Sequence, residues 1–350
     1  MLSEYSSNVI LAKVRAMYGK RISEQDYKSL ISCSTVADVA MYLKNHTSYA
    51  KELFDLNERE VHRGSLENLV KKKLFHDLES LCRYEISTRN SFAEYTIVRT
   101  EIEQIIHSLM YLVSGRPAEY IYSLPMFFNK RTKINLMDLA SIKDYDDFLK
   151  TLEGSDYEKI LKEYKPKKDE QLDISAIEKA LYNYLYGKFF EALKKDVSRE
   201  VRNKLSEIMI SYIDYTNFVR IVRLKRNDSK DESAILDYGT LKSLSIKQML
   251  NAKSEEEVFN IMKSTNRGKK LAKMQFNYID ELPARVMYDN CRKSIRFSIN
   301  PSVVMLSYLF LLQIEISNLV TIIEGVHYKV QKNEIEKLLI TKNQSKEGVI

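Results

Sequence analysis

The sequence predicts an all-α protein built from three related helical units, and three observations carry that reading. A capped-helix pattern occurs three times at nearly equal spacing. A second pattern, an acid followed three residues later by an amide and then two apolar residues, also occurs three times. No segment shows the sustained alternation, bounded by hairpin turns, that a strand requires.

The first pattern is Thr35, Asp38, Val39, Ala40 and Leu43, then Asp144, Asp147, Phe148, Leu149 and Leu152, then Ser254, Glu257, Val258, Phe259 and Met262. In each copy the first residue can accept a backbone N–H as N-cap. The acid three residues on can reach back, giving a capping box or its Asp-headed relative. The caps lie 109 and 110 residues apart in a chain of 350, which reads as triplication.

The second pattern pairs Glu101 with Gln104, Asp214 with Asn217 and Glu315 with Asn318. A fainter set, Leu66-Glu67, Ile177-Glu178 and Ile279-Asp280, precedes Phe75, Tyr186 and Tyr288 by the same offset. All three sets keep one order, so the predicted units are 1–124, 125–235 and 236–350, the last with a polar tail.

In chain order, Asn8 to Lys20 reads as an opening helix that Gly19 can end. Asp26 to Leu30 and the Thr35-capped helix follow. Between Asn57 and Ile86, the spacing of Leu66, Leu69, Val70, Leu74, Leu78 and Leu81 predicts an amphipathic helix, with Lys71, Lys72 and Lys73 on a solvated face. The helix carrying Glu101 and Gln104 should fade at Gly115-Arg116-Pro117.

After Pro125 comes the Asp144-capped helix, and the charged stretch Lys162 to Asp173 reads as an exposed loop. Two long helices are expected, about Ile174 to Asp196 and Ser198 to Lys225, and then a surface connection from Asn227 to Ser233. The third unit starts near Asp237 and finishes with an apolar helix from Pro301, where proline suits a first turn. The tail from Thr341 to Ile350 is polar and expected to be disordered.

Nine glycines, five prolines and 44% hydrophobic residues fit a compact helical protein. Net charge is +7 with both signs mixed along the chain, which is not a nucleic-acid-binding composition. Cys33, Cys82 and Cys291 are far apart, so a reducing, cytosolic setting is expected. The N-terminus lacks the basic-then-apolar order of a signal peptide. The longest apolar run, Val303 to Leu312 broken by Ser307, reads as a buried helix segment too short to span a bilayer.

The acid–amide pairs are the best candidates for specific polar work. Asp214 and Asn217 share a helix side with Ile210 and Ile221, and Glu315 and Asn318 share one with Leu311 and Ile322. They could form a carboxylate–amide site. The favoured reading is hydrogen bonding between packed helices or repeats, as buried polar groups require.

The five histidines show no metal-binding spacing, Gly187-Lys188 and Gly268-Lys269 lack the rest of a phosphate loop, and no nucleophile elbow is present. No metal or cofactor is expected. Arg220, Arg223, Lys225 and Arg226 form the densest basic helix end. Cations favour that end of the dipole, and the sharper reading is a docking patch for an acidic partner.

From about Asn8 to Leu339 the chain resembles the C subunits of bacterial and archaeal V/A-type ATPases, counterparts of the d subunit in the eukaryotic vacuolar enzyme. Three helical repeats of this size carry the resemblance, with the arginine-bearing opening helix around Val14-Arg15 and the acid-x-x-Asn helix from Ile213 to Lys225. It implies three helical domains around a pseudo-threefold axis, forming a funnel on the cytoplasmic face of the membrane rotor ring. The funnel would receive the central shaft, chiefly the D and F subunits, and couple it to the proteolipid ring without catalysis.

The chain departs from strict repetition at Gln104, at Gly115-Arg116-Pro117 and at Glu324, which stands opposite Arg223, so the shaft is expected to meet an asymmetric wall. The alternative class is a cytosolic helical-repeat adaptor or RNA-binding protein, marked by salt-dependent RNA binding.

Overall fold

The computed structural model describes residues 2–341 apart from 57–60, 84–88, 168–170, 230, 273 and 275. Of the tail expected to be disordered, only Thr341 lies within the described residues. Among those residues the secondary structure is α-helix and short 3-10 turns, with no strand.

The helices are α1 Leu2–Gly19, α2 Glu24–Ile31, α3 Val36–His46, α4 Arg63–Cys82, α5 Arg89–Val113, α6 Leu136–Leu139, α7 Tyr145–Thr151 and α8 Asp156–Leu161. They continue as α9 Ile174–Asp196, α10 Arg199–Arg226, α11 Ser243–Asn251, α12 Glu255–Ser264, α13 Gly268–Leu271, α14 Leu282–Phe297, α15 Pro301–His327 and α16 Lys332–Leu338.

The three caps start α3, α7 and α12, and each cap side chain accepts from the N–H three residues on. Only Thr35 heads a reciprocal box, because the Asp38 carboxylate returns to the Thr35 N–H at 2.9 Å. Asp147 would have to bring its carboxylate beside that of Asp144, and it pairs with Lys150 instead. Glu257 is one methylene longer and reaches past the cap to the Lys253 N–H at 2.6 Å.

The long helices pack in a sequence that returns to its start: α4 on α15, α15 on α14, α14 on α10, α10 on α9, α9 on α5 and α5 on α4. α1 lies on α15 and α4. α15 is buried and apolar through Leu312, and beyond that Gln313, Ser317 and Glu324 mark the one face left uncovered.

The ten-residue run understated this helix. Ile314, Ile316, Leu319, Ile322 and Ile323 extend it, and an 18-residue window has mean hydropathy 1.8, enough by length and composition to cross a membrane. Inside the protein 83% of that window is buried, so here it is the central core helix.

Tyr95 near the start of α5 packs against both Phe189 near the end of α9 and Phe310 near the start of α15. That contact puts the start of α5, the α9–α10 turn and the α14–α15 turn at one end of the molecule. The lysine triplet is not a uniform solvated face: Lys71 is exposed, but Lys73 is buried. Asp77 at 3.3 Å and the Ser48 carbonyl at 3.4 Å hold its ammonium there, which offsets desolvation.

Candidate functional site

An acid and an amide three residues apart project from one side of a helix, and α5, α10 and α15 each turn such a pair inward. Glu101 on α5 accepts from Thr132 Oγ1 at 2.7 Å, Lys133 N at 3.2 Å and Tyr157 OH at 2.7 Å. Asp214 on α10 accepts from Thr240 N at 2.6 Å, Thr240 Oγ1 at 2.7 Å, Leu241 N at 3.1 Å and Arg267 Nε at 2.7 Å. Glu315 on α15 accepts from Ile22 N and Tyr49 OH, both at 2.9 Å. All three acids are buried.

The donors are equivalent too. Each carboxylate binds a backbone N–H just before the short helix, α6, α11 or α2, that leads into one of the three capped helices. Each also binds the side chain 13 or 14 residues after that helix's cap, namely Tyr157, Arg267 and Tyr49. For Glu101 and Asp214 the bound segment follows the acid in the chain; for Glu315 it is the N-terminal segment, so the third pair ties the end of the chain to its beginning. Sequence reading missed Tyr49, Tyr157 and Arg267, although their nearly equal offset from the caps is visible in the chain.

The amides add a second fastener. Asn217 Oδ1 accepts from Leu236 N at 2.8 Å while its Nδ2 donates to Leu236 O at 2.9 Å. Asn318 holds Ile340 in the same way, at 2.9 Å on both sides, and also donates to Tyr27 OH. Gln104 is one methylene longer and accepts from Tyr120 OH at 3.0 Å.

The electrostatics differ among the three. Arg267 spans Asp214, Glu207 and Ser211. Burial pushes the Glu207 carboxyl up, but the Arg267 guanidinium prevails and holds it below the ordinary value. Among the described residues no guanidinium makes an ion pair with Glu315, and burial pushes it up to about 6 despite its two donors and the nearby Lys73 and Arg21. Beside it, Tyr308 OH donates to Asp77, and His76 pairs with Glu52 at 2.9 Å. Burial and the Glu315 charge drive the Tyr49 phenol well above its usual range.

The four basic residues at the end of α10 do not form one free patch. Arg220 is largely covered, bound to Glu178 and the Ala234 carbonyl. Lys225, equally covered, lies 3.8 Å from Asp228. Arg223 and Arg226 are more than half exposed; the first pairs with Asp280 at 2.9 Å and the second grips Glu255 with two bonds of 3.0 and 3.1 Å.

A cavity of about 880 Å³ lies between α4, α5 and α15. Its wall carries both signs, with Arg63, Lys71 and Arg99 facing Glu67, Glu103 and Glu324. Arg99 crosses it, donating to Glu103 at 3.0 Å on its own helix and to Gln313 at 2.8 Å on α15.

These features define a class: a protein helical throughout its described residues, whose buried acids and amides fasten one segment of the chain to another. The chain belongs to the ATP synthase (C/AC39) subunit family, whose profile matches residues 10–338. It is similar to the C subunit of the A-type ATP synthase of Pyrococcus horikoshii, 21% identical over 94% of this chain and 88% of that one. The corresponding subunit in Methanocaldococcus jannaschii is 21% identical over 94% and 85%. That of Archaeoglobus fulgidus is 20% identical over 95% of each chain.

Proposed function

We propose that the chain is a non-catalytic central-stalk subunit of a rotary A/V-type ATP synthase, a socket that couples the central shaft to the membrane rotor ring. Its place would be the cytoplasmic side of the membrane, held there through the complex, with the D and F shaft subunits and the ring proteolipid as partners. The observation that carries the reading is the triple fastening, in which every acid–amide helix grips a capped-helix segment and the last grips the N-terminal one. A socket that transmits torque needs a wall closed on itself, because a chain with free ends would shear under load.

The sequence thirds 1–124, 125–235 and 236–350 would then be three related units about a pseudo-threefold axis, forming a funnel. The cavity between α4, α5 and α15 is lined by the first and third thirds with Pro125 and Phe127, and its wall of mixed charge suits the side chains of a protein partner better than a single small ion. Any acidic-partner contact at the end of α10 falls to Arg223 and Arg226, the exposed members of that set. RNA binding at this helix end is disfavoured because Arg220 and Lys225 are covered, which leaves two exposed cations where the sequence offered four.

The test is recovery of the full chain from its own membranes in mild detergent, with partners identified by mass. Shaft subunits and ring proteolipid at more than trace level are expected. Their absence, with RNA or unrelated soluble proteins in their place, would refute the socket.

A further inference from the structure

The end of the molecule that gathers the start of α5 with the α9–α10 and α14–α15 turns has an unusual surface. Phe297 and Ile299, in the α14–α15 turn, are 80% and 85% exposed, the highest values for large apolar side chains among the described residues. Their exposure is built in. Between them Ser298 has extended backbone, with φ −78° and ψ 135°, so its neighbours point to the side opposite its own.

Ser298 is turned inward and held there. Arg15 on α1 donates to the Ile295 carbonyl at 3.1 Å and the Ser298 carbonyl at 2.8 Å, closing the end of α14. Ser298 Oγ accepts from Asn300 N at 3.2 Å, and Asn300 caps α15 through Val303 N at 3.2 Å. With both helix ends fixed, Phe297 and Ile299 cannot fold back onto the core.

Cations surround this tip. Lys293 and Arg296 are exposed on the last turns of α14, Arg83 is exposed at the end of α4, and Lys194, Lys195 and Arg199 are exposed at the α9–α10 turn. The acids described at those turns are Asp196 and Glu200, and Glu200 is bound to Lys204 at 2.7 Å.

We propose that this end docks on an anionic phospholipid surface, with Phe297 and Ile299 entering the headgroup layer and the cations around them meeting lipid phosphates. Two apolar side chains are too few for the core of a protein interface, which buries roughly 800 Å² per partner. They are enough to seat a basic surface, where each lysine or arginine near an anionic leaflet adds roughly fivefold in affinity. The inference concerns a surface remote from the cavity and stands or falls separately from the socket reading.

The experiment is co-sedimentation of the purified full-length chain with phosphatidylcholine vesicles, with and without roughly one quarter phosphatidylglycerol. The chain should pellet with the anionic vesicles and not with the neutral ones. Phe297→Ser with Ile299→Ser should lower the partition about tenfold, by loss of buried apolar surface. Lys293→Glu with Arg296→Glu should lower it by at least roughly thirtyfold.

All four side chains are exposed, so circular dichroism and melting temperature should be unchanged and will certify folding. The proposal is overturned by failure to bind anionic vesicles, by equal binding to neutral ones, or by folded variants that bind like the parent. It is also overturned if vesicles are ignored while the Phe297 and Ile299 changes abolish recovery of partner proteins from membranes, which would make the tip a protein contact.

Discussion

Asp214 and Glu315 occupy equivalent positions, yet the strength of their donors sets them apart. Asp214 serves two backbone N–H groups, a hydroxyl and a guanidinium, all within 3.1 Å. Asp214→Ala would strand those donors in the interior and is expected to cost about 3–5 kcal/mol in urea unfolding. Arg223→Ala, which breaks an exposed pair, should cost less than about 1 kcal/mol in the same assay. Gly239 is part of the Asp214 site, because a Cβ there would stand 2.6 Å from the carboxylate.

Glu315 is different, since burial lifts it from the ordinary 4.5 to about 6. The folded chain therefore binds this proton before the unfolded chain does as the pH falls. Its contribution to stability is fully present below 4.5 and is lost as the pH rises through about 6. Glu315→Gln removes that dependence. The stability of the parent minus that of the variant should fall by about 2 kcal/mol between about pH 4 and pH 7.5. Parallel pH curves in urea titrations would contradict this account.

At the scale of elements, the three capped helices share a start signal but not its strength. Thr35 is held by a reciprocal box, whereas the Asp144 and Ser254 caps work in one direction only. Thr35→Ala should therefore lower the unfolding free energy most, by about 1–2 kcal/mol, with the other two alanines nearer to about 1 kcal/mol. Gly268 limits a different junction, between α12 and α13. A Cβ there would meet the Met262 carbonyl oxygen and the Lys263 Cα, so backbone and not a flexible side chain would have to move. Gly268→Ala is expected to destabilise by about 1–3 kcal/mol or more, measured by thermal melting.

For the whole molecule, the fastening of residues 22 and 49 to Glu315 makes the N-terminal segment part of the packing of α15. α2 and α3 lie on the same helix. Unfolding should then be a single cooperative transition, with helix loss by circular dichroism coinciding with tyrosine fluorescence, the aromatic signal available in a chain without tryptophan. Removing residues 1–56 would expose the apolar face of α15 and strand its buried acid, and the truncated chain should aggregate or melt far below the parent. Two separated transitions in the intact chain would show that the closure carries little energy.

Helix content, the two long helices after Ile174, the long apolar helix from Pro301 and the three caps were legible because they depend on local chemistry: periodicity, proline and glycine punctuation, and a side chain reaching its own backbone. The acid–amide pairs were legible as positions, since repetition marks them whatever they touch. Their partners were not, because Tyr49 and Glu315 lie 266 residues apart and no local rule pairs them. Lys73 shows the same limit: a lysine triplet reads as a wet face until a neighbouring segment covers it and adds the Ser48 carbonyl to the Asp77 carboxylate of its own helix, which makes burial tolerable. The sequence by itself determined which segments are helical and that they recur in threes. The tertiary structure decided which segment each helix grips and which cations stay in water, because those outcomes turn on desolvation and on donors brought from far along the chain.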